Sequence, residues 1–289
     1  MIHRRLALLG LCAWPLRLRQ AAALEATPAV ASVPPLPDLA SAEIEVLRLR
    51  EALQREVPQH VARTPSKDLQ WIALARAEMT AAQATVERPQ LLVVVDRNPR
   101  VQQVAVLMAM PQGEWKVVGG ARVSTGSTGR FDHYITPRGV FHLTDAILGF
   151  RAEGTLNENG IRGLGAKGMR VWDFGWQVAM KGWDAGPGKP DRIPIRLMMH
   201  ATDPDKLEQR IGRPASQGCI RIPTAMNRFL DRHGVLDSEY ERAAVTSIRF
   251  RTLLLPGRAP SVLAGNTLIV VDSAAPAAPV TVASRASAI

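Results

Sequence analysis

Residues 193–222 have the sequence IPIRLMMHATDPDKLEQRIGRPASQGCIRI. An apolar run typical of a strand ends at His200, and Cys219 follows nineteen residues later, directly after Gly218. A cysteine is nucleophilic as its thiolate, and a neighbouring imidazole can accept the thiol proton. A glycine before the cysteine lets the backbone approach a substrate closely and present N–H groups to it. On spacing alone, a catalytic pair and a merely structural pair, with both side chains in the core, remain open.

The composition is that of an ordinary globular protein and excludes several classes. Apolar residues make up 46% of the 289-residue chain and charged residues 21%. The longest uncharged apolar run, residues 6–16, is shorter than the roughly 20 residues of a membrane-spanning helix, so we do not expect an integral membrane protein. Two cysteines exclude a disulfide scaffold and a cysteine-rich metal site, and we expect neither a metal nor an organic cofactor. The 36 Lys and Arg outnumber the 26 Asp and Glu, but the arginines are scattered and no nucleic-acid-binding motif is present, so we expect no nucleic-acid partner.

The N-terminus predicts export. Residues 1–23 have the parts of a signal peptide: two arginines at 4–5, the apolar run at 6–16 and three alanines at 21–23. We therefore expect a location in the periplasm or cell envelope, although a flexible cytosolic tail is the alternative. Removal of this segment also removes Cys12, which leaves Cys219 without an intramolecular disulfide partner. A single cysteine in an exported protein forms an intermolecular link or is a reactive thiol.

The chain between 24 and 88 is expected to be a linker followed by helices. Residues 24–40 are rich in Ala and Pro, which is typical of linkers. Residues 41–88 predict a helical N-terminal segment in which two amphipathic helices pack together as a hairpin. The first helix should end near Val57, and Ser66 should cap the second. The faces expected to be buried contain Ile44, Leu47 and Leu53 in the first helix and Leu69, Ile72, Ala75 and Met79 in the second.

Beyond residue 88, short apolar runs separated by turns predict a mainly β domain over 89–272, with helices at its periphery. The glycine-rich stretch 150–192 is expected to be a loop, and the Ala/Pro/Ser-rich residues 273–289 a disordered tail. A peripheral helix is expected over 225–232, with Thr224 as its N-cap. The predicted strands cover residues 91–95, 101–108, 115–118, 121–123, 135–145, 193–199 and 267–271.

Three segments, taken together, resemble the catalytic domain of the L,D-transpeptidase family. They are STG at 124–126, TPRGVF at 136–141 and GRPASQGCIR at 212–221, and they occur in the order found in that family. The resemblance covers roughly residues 90–235 and implies an L,D-transpeptidase-type β-sandwich with peripheral helices, here preceded by a helical segment. Three matched segments in order favour the catalytic interpretation of the cysteine.

The resemblance implies a role for each matched residue. Cys219 would attack the carbonyl of the third residue of a peptidoglycan stem tetrapeptide and release the terminal D-Ala. His200 would be the general base and then the acid. Gly218 and the Cys219 N–H would contribute to the oxyanion hole, while Ser216 and Arg221 would shape the site, Arg221 by fixing the turn and binding a carboxylate. The thioester would pass to an amine of a second stem peptide or of an envelope protein, so peptidoglycan stem peptides are the expected partners.

One position departs from the family pattern. Gln217 stands where the family often has histidine, and glutamine can orient a partner but cannot carry a proton at neutral pH. Its backbone carbonyl could still hold His200, so we expect the site to work. Two alternatives stay open: an L,D-carboxypeptidase or amide hydrolase, in which water resolves the thioester, and a non-catalytic peptidoglycan-binding envelope module.

The tryptophans of the predicted loop have two interpretations. Trp172, Trp176 and Trp183 are either part of the core or part of a lid over the stem peptide. In the second interpretation, Trp172 and Trp176 are assigned to substrate binding.

Overall fold

The computed structural model describes residues 37–275. The predicted signal peptide lies outside the described residues, as do most of the predicted linker and tail. Of the tail, Ser273 is held in place, because its hydroxyl accepts a hydrogen bond from Asn98 Nδ2 at 2.8 Å.

Ten strands and five α-helices make up the described part of the chain. The strands are β1 Gln90–Asp96, β2 Gln103–Ala109, β3 Lys116–Arg122, β4 Tyr134–Ile135, β5 Gly139–His142, β6 Phe150–Arg151, β7 Arg170–Lys181, β8 Arg192–Ala201, β9 Ile220–Ile222 and β10 Thr267–Val271. The helices are α1 Leu39–Glu56, α2 Pro65–Ala81, α3 Thr224–Arg232, α4 Ser238–Ala244 and α5 Ile248–Leu253. Two mixed sheets form the core, as the sequence predicts, but the helices contain about as many residues as the strands.

The first sheet has the strand order β3-β2-β1-β10-β5. Its strands are antiparallel except for β1 and β10, which pair in parallel with Val94 opposite Ile269. All of β1 from Leu91 to Asp96 is buried. A strand covered on both faces needs no polar alternation, which explains the continuous apolar run in its sequence.

Helices α1 and α2 cover opposite faces of this sheet, so the predicted helical hairpin is wrong. Helix α1 packs with the face that contains Leu91 and Val93, while α2 packs with the face that contains Leu92 and Val94. Because β1 is apolar on both sides, each helix buries its own apolar stripe against the sheet rather than against the other helix.

The buried stripe of α1 agrees with the predicted one only at Leu53, which is buried. It contains Ala42, Val46 and Leu49, spaced by four and three residues as one helix face requires. Ile44 and Leu47 are 68% and 55% exposed. The prediction favoured large apolar side chains, whereas the first residue of α1 that is buried is the small Ala42.

Helix α2 begins two residues earlier than predicted, because its N-cap is Thr64 and not Ser66. Thr64 caps it by accepting a hydrogen bond from the Lys67 N–H at 3.3 Å, and Pro65 takes the first helical position, where its missing N–H costs nothing. Of the predicted face, Ala75 and Met79 are buried, while Leu69 is 69% exposed. Thr224, predicted as an N-cap, is the first residue of α3 instead.

The second sheet has the order β4-β7-β8-β9, with β6 also paired to β7. The predicted loop over 150–192 is therefore wrong, because it contains the twelve-residue strand β7. The strand is difficult to predict from the sequence because two of its buried residues, Arg170 and Asp173, are charged. Each is neutralised by a distant partner: Arg170 pairs with Asp237 at 3.1 Å, and Asp173 pairs with Arg196 at 2.8 Å.

No helix among the described residues is long and apolar enough to cross a membrane.

Candidate active site

Strands β8 and β9 bring the predicted histidine and cysteine into the same part of the second sheet. The two strands are parallel, with His200 opposite Arg221. Cys219 directly precedes β9, two residues before Arg221, and its thiol contacts β8 at Arg196, four residues before His200. Met199 and Ile220 are fully buried in the core.

The Cys219 thiol lies against the backbone of β8. Strand β9 begins only at Ile220, which pairs with Met199. The β8 backbone groups before Met199 therefore have no β9 residue opposite them. The thiol takes that place: it donates to the Arg196 carbonyl, with Sγ 3.6 Å from the oxygen, and receives the Met198 N–H. Burial raises the pKa of the Cys219 thiol, against the opposing effects of the Met198 N–H and the Arg221 charge.

His200 is buried and fixed in one tautomer. Its side chain is 3% exposed, and Nδ1 lies 2.6 Å from the Ala201 carbonyl oxygen. Because a carbonyl only accepts, Nδ1 carries the proton and Nε2 has a free lone pair. The pKa of His200 is lowered to about 4, chiefly by burial and also by the Arg221 charge, against the opposing effect of the Ala201 carbonyl. The prediction that the Gln217 carbonyl holds this histidine is wrong, since the neighbouring carbonyl in β8 does so.

Ser216 and Gly218 fix the turn that presents the cysteine. Ser216 Oγ donates to the Cys219 carbonyl at 2.5 Å and accepts from the Gly218 N–H at 3.1 Å. Gly218 has a φ of +123°, and a Cβ there would lie 2.6 Å from Ile195 Cδ1. The positive φ therefore favours glycine, and a Cβ would also force the Ile195 side chain to shift. The Gly218 N–H is already engaged, whereas the Cys219 N–H has no hydrogen-bond acceptor among residues 37–275.

The three segments that carry the family resemblance meet at this turn. Thr136 Oγ1 accepts from the Gly126 N–H and donates to the Gly218 carbonyl, both at 2.8 Å. Ser124 and Arg221 exchange two backbone hydrogen bonds of 2.9 Å. Sequence reasoning used the upstream segments only as markers of a family; their contacts show that they build the cysteine loop.

Arg221 and Gln217 lie on different sides of the turn. Arg221 Nη1 donates to the Ala215 carbonyl at 3.3 Å, and its Nε is buried without a partner in the described part of the chain. Gln217 is exposed, and its amide lies 3.5 Å from Asp132 Oδ2. Arg221 therefore braces the turn from inside, while Gln217 faces outward.

The tryptophans separate into core and surface. Trp172 is fully buried in the core between the sheets, which overturns its assignment to substrate binding. Trp176 is 66% exposed and is paired in β7 with Arg196, the residue whose carbonyl accepts from the Cys219 thiol. Trp176 therefore stays a candidate for substrate contact.

Sequence reasoning missed an aromatic group beside the turn. Tyr134 lies against Gly218, since a Cβ on Gly218 would be 3.4 Å from Tyr134 Cβ. The Trp183 ring packs on Tyr134 and on Phe131, with centroid separations of 5.3 and 5.2 Å, and Phe131 is 81% exposed. No spacing in the sequence indicates this group, because its members belong to separate loops and strands.

Comparisons with known proteins do not identify a family for this chain. No protein-family model matches the chain, and no curated protein matches it either. Among the described residues, no group of three or more His, Cys, Asp or Glu side chains is placed to hold a metal ion.

Proposed function

We propose that the chain is an exported cysteine acyltransferase of the L,D-transpeptidase type, with the corresponding fold, acting on peptidoglycan stem peptides in the periplasm. The observation that carries the proposal is the position of Cys219, which directly precedes β9 and contacts β8, the strand that contains His200, together with the His200 Nδ1 proton held by Ala201. This placement supports proton transfer from the thiol to Nε2. The meeting of the three family-like segments at the same turn supports the choice of family.

The first half-reaction needs only these two side chains and the turn. The Cys219 thiol loses its proton to His200 Nε2 as Sγ attacks the carbonyl of the third stem residue. The Cys219 N–H would stabilise the oxyanion, since it has no acceptor among residues 37–275, whereas the Gly218 N–H is already bonded to Ser216. The carbon–nitrogen bond then breaks, the imidazolium protonates the departing D-Ala amine, and a thioester remains.

The second half-reaction reverses the roles. An amine acceptor gives its proton to neutral His200 and attacks the thioester, which restores the thiol as the imidazolium returns the proton. The acceptor is the amine of a second stem peptide or of an envelope protein. Phe131, Tyr134 and Trp183 pack together beside the turn, and the exposed Trp176 lies opposite Arg196 in the sheet; these aromatic side chains are the candidates for contact with a peptide chain.

Incubation with disaccharide-tetrapeptide tests the proposal. We expect intact-protein mass spectrometry to find an acyl adduct, and product analysis to find cross-linked dimers. Cys219→Ala should remove both, and His200→Gln should slow adduct formation by about a hundredfold or more. An adduct with tripeptide as the sole product would identify water as the acceptor. No adduct on a folded protein would contradict the enzyme assignment.

A further inference from the structure

A turn beside the cysteine loop presents a carboxylate to solvent. Phe131 and Asp132 lie in this turn, just before β4, and both are exposed. The next residue, His133, accepts a 2.7 Å hydrogen bond from the Gly182 N–H through its carbonyl. Because Trp183 follows Gly182 directly, this bond holds the turn beside the Trp183 ring, which packs on Phe131.

The Asp132 carboxylate is held in position near the thiol. Asp132 has a φ of +58°, in the left-handed region where aspartate is enriched among the non-glycine residues. The Tyr134 hydroxyl donates to Asp132 Oδ1 at 2.7 Å, and this hydrogen bond raises the pKa of Tyr134, so the hydroxyl stays a donor. Asp132 Oδ2 lies 3.5 Å from Gln217 Nε2, and Gln217 is two residues before Cys219.

The charge of Asp132 is not neutralised by a cation of residues 37–275. The seventeen ion pairs found there use other carboxylates, and neither Arg130 nor Lys181, the basic residues closest to this turn in the sequence and in the β4–β7 pairing, takes part in one. An ionised carboxylate has more acceptor positions than Tyr134 and Gln217 use. Asp132 can therefore accept hydrogen bonds from a cationic ligand.

The aromatic rings around Asp132 suit the same kind of ligand. The faces of tryptophan, tyrosine and phenylalanine rings attract ammonium groups. Trp183 already makes one such contact, since Lys181 Nζ lies 5.6 Å from the ring centroid. Phe131 is 81% exposed, so a ligand can reach its ring from solvent. A carboxylate among aromatic rings is the combination that binds an aliphatic ammonium.

We propose that Asp132 and the rings of Phe131, Tyr134 and Trp183 bind a primary ammonium group of a stem peptide, with Gln217 as a second polar contact. Because Gln217 directs its amide N–H to the carboxylate, its amide oxygen remains to accept from the ammonium. The inference rests on the proposed function, in which each stem peptide carries an amine because one stem peptide is the acceptor for another. It adds that Gln217, which departs from the family pattern, contributes to substrate selection.

Calorimetry tests whether the amine of the acyl donor occupies the site. The full chain carrying Cys219→Ala is titrated with disaccharide-tetrapeptide and with the same compound acetylated on its amine. We expect the compound with the free amine to bind about tenfold more tightly. Asp132→Asn removes the charge, keeps a residue type that tolerates the same φ, and should abolish this preference. The matched control Glu51→Gln, at an exposed carboxylate of α1 that forms no ion pair with the described residues, should retain it.

Product analysis with Cys219 present tests the amine of the acceptor. If that amine occupies the site, Asp132→Asn should lower the ratio of cross-linked dimer to tripeptide about tenfold without slowing adduct formation. If the donor amine occupies it, Asp132→Asn should raise the KM for adduct formation and leave the ratio unchanged. Tyr134→Phe should act in the same direction as Asp132→Asn and less strongly, because the Tyr134 hydroxyl positions the carboxylate.

The inference is overturned if Asp132→Asn changes neither the preference for the free amine nor the product ratio. It is equally overturned if Glu51→Gln changes them as much as Asp132→Asn does, since the effect would then be one of general charge. Failure of the proposed function is a different result, namely the absence of a Cys219-dependent adduct in the unsubstituted enzyme, whatever calorimetry shows.

Discussion

The buried imidazole of His200 predicts a specific loss of stability in acid. Its pKa is about 4 in the folded protein against an ordinary value of 6.5, chiefly because burial disfavours the charged form. Since the folded-state pKa is depressed, the neutral imidazole contributes its full stabilisation above pH 6.5. That contribution is lost as the pH falls toward 4, where the unfolded chain binds a proton that the folded chain does not.

The size of the effect follows from the two pKa values. At pH 7 both states are mostly neutral at this position, whereas at pH 4.5 the unfolded imidazole is almost fully protonated and the folded one is mostly neutral. The difference in linkage free energy between these two pH values is about 2 kcal/mol, at about 1.4 kcal/mol per pKa unit.

Urea unfolding of the unsubstituted chain and of His200→Gln at pH 7 and pH 4.5 measures this difference. Glutamine can still donate to the Ala201 carbonyl but does not titrate, so we expect the variant to lose about 2 kcal/mol less over this interval. His142→Gln, at an exposed histidine, is the matched control and should follow the unsubstituted chain. Equal losses in the unsubstituted chain and in His200→Gln would refute the assignment of a buried neutral imidazole.

Three further predictions concern the turn and the tryptophans. Burial raises the pKa of Cys219, so its alkylation by iodoacetamide should reach half its maximal rate at a higher pH in the folded chain than in urea. Ser216→Ala leaves the Gly218 N–H without its acceptor; we expect a cost of about 1–2 kcal/mol in urea unfolding and at least about a tenfold lower kcat/KM, with Ser216→Thr restoring part of both. Trp176→Ala should lower turnover without changing the thermal midpoint, whereas Trp172→Ala should cost about 3–5 kcal/mol of stability; the reverse pattern would show that the assignments are exchanged.

The sequence predicts best what is decided by nearby residues. Residue types alone made Cys219, His200 and Gly218 candidates, while the catalytic interpretation depended on the three family-like segments and stays a prediction. Strand β1 could be identified because five successive apolar residues after Pro89 have few alternatives in a globular chain.

What the sequence could not predict depends on contacts between distant residues. Strand β7 lies in a glycine-rich stretch that predicted a loop, and it contains a buried aspartate whose partner, Arg196, is 23 residues away and cannot be inferred from the stretch itself. The role of Thr136 depends on a hydrogen bond to Gly218, 82 residues later. The low pKa of His200 depends on how deeply the folded sheets bury it. In each case the periodicity and propensity of a segment describe only that segment, whereas its structure or pKa depends on residues that are distant in sequence.

The resting state of the proposed enzyme follows from the balance between burial and charge. The Arg221 charge acts with opposite effect on the two members of the pair, since it stabilises a Cys219 thiolate and destabilises a His200 imidazolium. Its effects on proton transfer between them therefore largely cancel. Burial, the largest cause at both residues, disfavours both charged forms, so the pair rests as neutral thiol and neutral imidazole. The thiolate must then form in the same step as attack, with its negative charge moving directly to the oxyanion beside the Cys219 N–H.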